Sequence, residues 1–298
     1  MKITAGIDGG GTSTTLVLSK DGREQERKTF GAFNLNSIGE ERFRRLLTEL
    51  FDTVAQAGEC EGICIGAAGI SNPRVGEITL EIAQKYEFSK KLLLKGDQDI
   101  ALYGAMSGKA GAILIAGTGS ICTGRGKNGR TVRAGGWGHL IDDGGSGYAI
   151  GKDVLKAVVM AYDGRADSTL LTEMVYKHWQ VSDIEGIIAK TYDNPDKSNI
   201  AALSRLAEEG AKRGDKASDF ILFSNAAMLC MLIDAVYERL EEEDRLSLCL
   251  MGGLLSHDTE YRKMVVDLLM EGERNIDLKD PDMDAAAGAA LWAWDMHF

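Results

Sequence analysis

One pattern occurs twice in this chain of 298 residues, and it restricts the fold more than any other feature. Ile3-Thr4-Ala5-Gly6-Ile7 runs into Asp8-Gly9-Gly10-Gly11-Thr12, and Thr14-Thr15-Leu16-Val17-Leu18 leads to Asp21-Gly22. Later, Ala112-Ile113-Leu114-Ile115-Ala116 enters Gly117-Thr118-Gly119-Ser120, and Ile121-Cys122-Thr123 leads to Asn128-Gly129. Short apolar runs bounded by glycine and closed by Asp-Gly or Asn-Gly are strands joined by tight turns. Placing Gly11-Thr12 over Gly117-Thr118 brings Asp21-Gly22-Arg23 within one position of Asn128-Gly129-Arg130. An internally duplicated β-meander is expected.

Strands and helices fill the rest of the chain. Phe43, Leu46, Leu47, Leu50, Phe51 and Val54 recur at helical spacing from Glu40 to Ala57. A buried strand follows at Gly62–Ala68, then a helix near Val75–Tyr86, a strand at Lys91–Lys95 and a helix after Asp97. The second half reads as helices near 147–161, 170–178, 182–190, 200–212 and 216–240, a strand at 246–251, and closing helices near 260–270 and 284–294. Such a mixture is α/β. The length fits two domains, and the duplication puts the boundary near Met106–Gly108, giving 1–107 and 108–298.

The formal net charge of −11 argues against a nucleic-acid or anionic-membrane surface as the main partner, because nothing global attracts phosphate backbones. A local phosphate site remains open. The five cysteines contain no CxxC pair and are expected to be buried and reduced. The N-terminal residues carry no apolar signal core, and stretches such as Ala285–Ala293 are too short to span a bilayer. A cytoplasmic protein is expected.

Fifteen of the 36 glycines fall between Gly104 and Gly151, which marks that window as a place where backbone approaches a ligand. Asp8-Gly9-Gly10-Gly11-Thr12 sits between two strands, so it is neither a Walker loop nor a dinucleotide fingerprint. Its N–H groups and the hydroxyls of Thr12, Ser13 and Thr14 suit an anion, and Asp8 is placed to hold a divalent cation. A plain glycine hairpin turn is equally open. Thr118, Gly119 and Ser120 repeat that chemistry. Gly252-Gly253 ends another strand and fits either a base or ribose contact or a helix-entry turn. Asp97, at a strand's carboxyl end, is placed as a general base or as a helix N-cap, with Asp99 as its alternative.

The chain resembles the BadF/BadG/BcrA/BcrD ATPase family of the acetate-and-sugar-kinase, Hsp70 and actin superfamily, in its N-acetylglucosamine kinase branch. Gly6–Thr12, Ile115–Ser120, Gly135-Gly136-Trp137-Gly138-His139, Asp143–Tyr148, Met251-Gly252-Gly253 and Asp284–Ala293 carry the resemblance in the family's order. It implies two RNase-H-like domains with ATP in the cleft between them, and a last helix, about 284–296, packed back on the first domain. It implies ATP and Mg²⁺ as cofactors, with Asp8 organising the metal. Gly9, Gly10, Gly11, Thr12, Ser13, Thr14, Thr118, Gly119 and Ser120 would hold phosphates, and Gly252 and Gly253 would face adenosine. Asp97 would take the acceptor's proton. Asn34, Asn36, Asp97, Gly136, Trp137, Gly138, Asp143 and Ser146 would meet a sugar. Asn34 and Asn36 read otherwise as turn residues, Trp137 as a core aromatic and His139 as a structural histidine. A homodimer is expected from the family.

One departure matters. The family's Gly-Asp-Glu-Gly-Ser is here Asp142-Asp143-Gly144-Gly145-Ser146, so no side chain can reach substrate from position 144. That bears on the sugar and not on the ATP chemistry. Relatives that activate radical dehydratases carry an iron–sulfur cluster; the apolar settings of Cys64 and Cys230 do not suit one, while Cys122 is placed where it could reach the cleft. A non-catalytic ATP- or sugar-binding sensor is the third reading.

Overall fold

The computed structural model describes residues 2–193, 196–240, 245–272 and 274–296. In chain order the elements are β1 (Ile3–Gly9), β2 (Thr14–Lys20), β3 (Arg23–Phe30), the single turn α1 (Leu35–Ile38), α2 (Glu40–Ala57), β4 (Cys60–Ala67), α3 (Pro73–Lys85), β5 (Leu92–Lys95) and α4 (Asp97–Ala105). Then come β6 (Gly111–Ala116), β7 (Ser120–Arg125), β8 (Thr131–Gly135), α5 (Gly147–Tyr162), α6 (Leu171–Trp179), α7 (Ile184–Asp193), α8 (Lys197–Ala201), α9 (Ser204–Lys212) and α10 (Lys216–Leu240). Strand β9 (Leu246–Met251), α11 (Glu260–Glu271), β10 (Ile276–Leu278) and α12 (Ala285–Asp295) complete the chain.

Two compact units result. The first holds the residues up to Gly111 and those from Asp280 onward; the second is Ala112–Lys279. The turn at Ser107–Lys109 closes α4, with Gly108 N–H donating to Tyr103 O and Lys109 N–H to Met106 O, so the chain leaves the first unit only after it.

The sheet of the first unit runs β3-β2-β1-β4-β5, and that of the second runs β8-β7-β6-β9-β10. The order is the same in both, strand for strand. In the first, β1 pairs antiparallel with β2 and parallel with β4, so three meander strands pass to two crossover strands. The two glycine turns, β1–β2 and β6–β7, occupy corresponding places in the two sheets.

In the first unit α2 buries Phe43, Leu46, Leu47, Leu50, Phe51 and Val54 against the sheet. Each such side chain contributes roughly 1.5–3 kcal/mol on burial. Helix α12 lies directly on β1, because its surface is small. A Cβ on Gly6 would stand 2.2 Å from Ala286 O and from Ala290 N. Thr4 Oγ1 donates to Ala290 O at 3.2 Å. Gly104 of α4 and Gly288 of α12 meet backbone to backbone, with a Cβ on Gly288 only 2.5 Å from Gly104 Cα. The alanine-rich terminal motif is thus a close-packing surface for a sheet and a helix.

In the second unit α10 supplies Ile221, Leu222, Ala226, Leu229, Ile233, Val236 and Leu240 to the core. By length and composition alone this helix passes for a membrane span, which Ala285–Ala293 does not. One face is spent on the core, while Phe220, Phe223 and Met231 stay exposed.

Candidate active site

In the first unit three acidic groups gather around the carboxyl end of β1. Asp8 is the last residue but one of β1, Asp97 is the first residue of α4, and Asp284 caps α12 by accepting Ala287 N–H at 2.9 Å. The Asp8 carboxyl is pushed up to about 6, chiefly by burial and then by the charges of Asp97 and Asp284. Asp284 itself is paired with Arg27 at 2.7 Å.

The turn after β1 is built by backbone bonds: Gly10 N–H to Ser13 O at 2.9 Å, and Phe33 N–H to Gly10 O at 2.9 Å. Gly9 is required by a close approach, since a Cβ would stand 2.7 Å from the Phe33 ring. Gly11 has open space around it, and Gly11, Thr12 and Ser13 are exposed. Thr14 differs from them. It is buried, and its hydroxyl donates to Gly31 O at 2.6 Å, which removes it from the free donors.

The N-cap of α4 is Gly96, not Asp97. Asp99 serves this cap, accepting Gly96 N–H on Oδ2 at 3.0 Å in the manner of a capping-box acid. Asp97 accepts only Gln98 N–H, on Oδ1 at 2.9 Å. Asp99 is therefore committed to the helix, while Asp97 Oδ2 takes no hydrogen bond among the described residues. Asn34 is the N-cap of α1, its Oδ1 accepting Asn36 N–H at 3.1 Å and Ser37 N–H at 3.3 Å, and Asn36 is exposed.

In the second unit the Gly117–Ser120 turn is tied to the start of α5. Gly147 N–H donates to Gly117 O at 2.8 Å and Tyr148 N–H to Thr118 O at 3.3 Å. Ser120 Oγ donates to Gly144 O at 2.8 Å. Asp143 lies against the same turn: a Cβ on Gly119 would be 3.1 Å from its carboxylate. Burial raises the Asp143 carboxyl above its ordinary value, partly offset by the Ser120 N–H it accepts. Asp142 Oδ1 faces Gly144 N–H at 3.4 Å, so the added acid braces the loop and does not stand in for a side chain at 144. Ser146 is fully buried, and its hydroxyl caps α5 by accepting Ala149 N–H. Gly136, Trp137 and Gly138 form an exposed loop, with Arg133 over the Trp137 ring at 4.1 Å. Trp137 is thus not a core aromatic. His139 packs edge-on to Tyr148 at 4.9 Å.

Gly252 adopts φ +88°, and a Cβ there would stand 2.4 Å from Ala116 O. It holds the β9 exit against β6, while Gly253 beside it is exposed. Gly253 and Thr118 line one pocket of about 640 Å³, a volume suited to a small organic ligand. Its other wall is α8–α9, including Ser198, Arg205 and Glu208, with His257 at the rim. Sequence spacing predicts one helix over 200–212 and no role for these residues; the structure has α8 and α9 there instead. Ser198, Arg205 and Glu208 do recur near helical spacing, opposite the buried Leu203, Leu206 and Ala207.

All five cysteines are buried thiols outside any disulfide. Cys122 is wholly inside the core of the second unit, with its thiol pushed well above the ordinary range by burial. The expectation that it could reach a ligand cleft is corrected: strand alternation turns it inward. Cys60 and Cys64 are also raised, to about 11 and about 12.

Two α/β units of one strand order, each with a glycine turn at the first hairpin, define a duplicated ATPase fold. The profile of the BadF/BadG/BcrA/BcrD ATPase family matches residues 5–293, and the chain belongs to that family. It is 34% identical to an N-acetylmuramic acid/N-acetylglucosamine kinase from Clostridium acetobutylicum over 98% of each chain. It is 31% identical to an N-acetyl-D-glucosamine kinase from Dictyostelium discoideum, again over 98% of each. In structure it is similar to a ROK hexokinase from Thermus thermophilus, with a TM-score of 0.64, 14% identity and coverage of 99% of this chain and 98% of that one. The last likeness shows the fold: two RNase-H-like domains of the actin-like ATPase type.

Proposed function

We propose that the chain is an ATP-dependent sugar kinase whose acceptor is a hydroxyl of N-acetylglucosamine or a related amino sugar. The observation that carries this reading is the full-length match to two amino-sugar kinases. The free carboxylate oxygen on Asp97 supports it.

ATP phosphates are assigned to the exposed backbone and hydroxyls of Gly11–Ser13, with Gly9 and Gly10 shaping the turn beneath them, and to Thr118–Gly119. The adenosine is assigned to the pocket at Gly253. The donor set fits Mg²⁺: Asp8 sits in a local excess of negative charge with Asp97 and Asp284, which a divalent cation offsets. Among the described residues no three His, Cys, Asp or Glu groups cluster as metal ligands, so Asp8 would share the ion with phosphate oxygens and water. When bound, Mg²⁺ neutralises charge on the phosphates.

Asp97 takes the acceptor hydroxyl's proton on its carboxylate, which raises the nucleophilicity of that oxygen. Asn36 and the Trp137 loop are assigned to the sugar. Asn34 keeps its amide donors free while its oxygen caps α1. Asp143 orders the Gly119–Ser120 turn. Thr14, Ser120 and Ser146 act by holding backbone. A cytoplasmic homodimer is part of the reading; Phe220, Phe223 and Met231 lie exposed along one side of α10, a surface that a second copy would cover. Light scattering tests the dimer.

The test of the activity is ADP release by the purified chain with Mg²⁺·ATP and a panel of N-acetylglucosamine, N-acetylmuramic acid, glucosamine and glucose. Release should depend on an amino sugar. Release independent of every sugar contradicts the reading.

A further inference from the structure

Glu208 carries a carboxylate oxygen that the fold leaves unanswered. Its Oε1 is buried and has no hydrogen-bond partner, the one such side-chain atom among the described residues. Buried polar atoms are nearly always bonded, because an unpaired acceptor is a standing cost to the folded state. Glu208 lies on α9 in the wall of the pocket that holds Thr118 and Gly253, and Oε1 draws no partner although Arg205 lines the same wall.

We propose that Glu208 reads the nucleoside of the bound nucleotide, accepting a hydrogen bond at Oε1 from an N–H or O–H of adenosine. The inference rests on the nucleotide assignment above. The chemistry of the group selects the end of the ligand. A carboxylate only accepts, and the phosphates offer it no donor and repel it. The 6-amino group and the ribose hydroxyls are the donors that adenosine presents. A donor arriving there repairs the unpaired acceptor, so the cost carried by Oε1 is returned on binding.

Calorimetry with ADP on wild type, Glu208→Met and Glu208→Gln tests this without needing turnover. Glu208→Met should weaken ADP by about 10–100-fold, the range for a lost bond to a charged group. Glu208→Gln keeps an acceptor and should lose less. The nucleotide-free Tm of both should equal or exceed that of wild type, since the unpaired carboxylate is gone; a purely structural glutamate would lower it. Of three ADP analogues lacking the 2′-hydroxyl, the 3′-hydroxyl or the 6-amino group, at least one should bind wild type about as weakly as ADP binds Glu208→Met. Equal ADP affinity in wild type and both variants overturns the inference alone, as does unchanged affinity for all three analogues. Absence of any ADP binding by wild type overturns the nucleotide assignment and this inference with it.

Discussion

The negative charge of Asp97 acts on Asp8: after burial it is the largest influence holding the Asp8 carboxyl up at about 6. The end of β1 and the first turn of α4 thus form a single electrostatic unit, to which Asp284 adds from the start of α12. The Asp8 carboxyl, held up by burial and by neighbouring negative charge, is one whose ionised form a cation relieves.

Asp8 makes the ligand-free protein less stable as pH rises. Folded, it binds its proton up to about 6; unfolded, a carboxylate lets go near about 3.9. Between those values the folded chain holds more protons, so the unfolding free energy falls with rising pH. Asp8→Asn should therefore gain Tm relative to wild type as pH goes from 4 to 7, in scans without nucleotide. A Tm difference flat across that range contradicts the assignment. The same variant should lose Mg²⁺·ATP binding at pH 7.5.

The two acids of α4 separate by stability. Asp99→Ala removes the bond to Gly96 N–H and should cost about 1 kcal/mol in denaturant unfolding. Asp97→Asn keeps an oxygen for Gln98 N–H and removes a charge that opposes ionised Asp8, so it should unfold no more readily than wild type.

Close packing makes Gly6 and Gly252 intolerant of alanine. Gly6→Ala drives a Cβ into the backbone of α12, and should cost about 2–3 kcal/mol and expose the C-terminal helix to limited proteolysis. Gly252→Ala adds strain at φ +88° to a clash with Ala116 O, and should cost at least about 2 kcal/mol. Wild-type melting of either variant contradicts the packing described.

The duplicated meander was legible because strand alternation and Asp-Gly or Asn-Gly turns are local signals. Helices α2 and α10 were legible from apolar spacing. Strand β10 was not, because Ile276-Asp277-Leu278 is too short to show a period. The break between α8 and α9 was hidden for a different reason. Ala202 and Leu203 keep helical dihedrals, at φ/ψ of −60°/−26° and −67°/−17°, so no glycine or proline marks it. Nothing local marks Glu208, since only tertiary packing buries its oxygen. Asp97 was placed at its helix start, but the choice of Gly96 as cap depends on Asp99 reaching back, which spacing alone left open.

The thiols should be inert in the native state. Cys60, Cys64, Cys122, Cys230 and Cys249 are all buried, and the thiolate is the reactive form. Labelling with a disulfide reagent should be slow until denaturant is added, and protein prepared without air should be colourless and free of iron. A visible band lost on Cys→Ser substitution would point to the dehydratase-activator relatives.

The most direct measurement is mass spectrometry of the sugar product after N-acetylglucosamine is incubated with Mg²⁺·ATP and either wild type or Asp97→Asn. Wild type should add one phosphoryl group to the sugar. Asp97→Asn should bind ATP and melt no lower than wild type, yet form product slower by about 10²–10⁴-fold, the usual loss for a missing general base. Phosphosugar formed by Asp97→Asn at the wild-type rate, or only ADP and inorganic phosphate from wild type, would contradict the account.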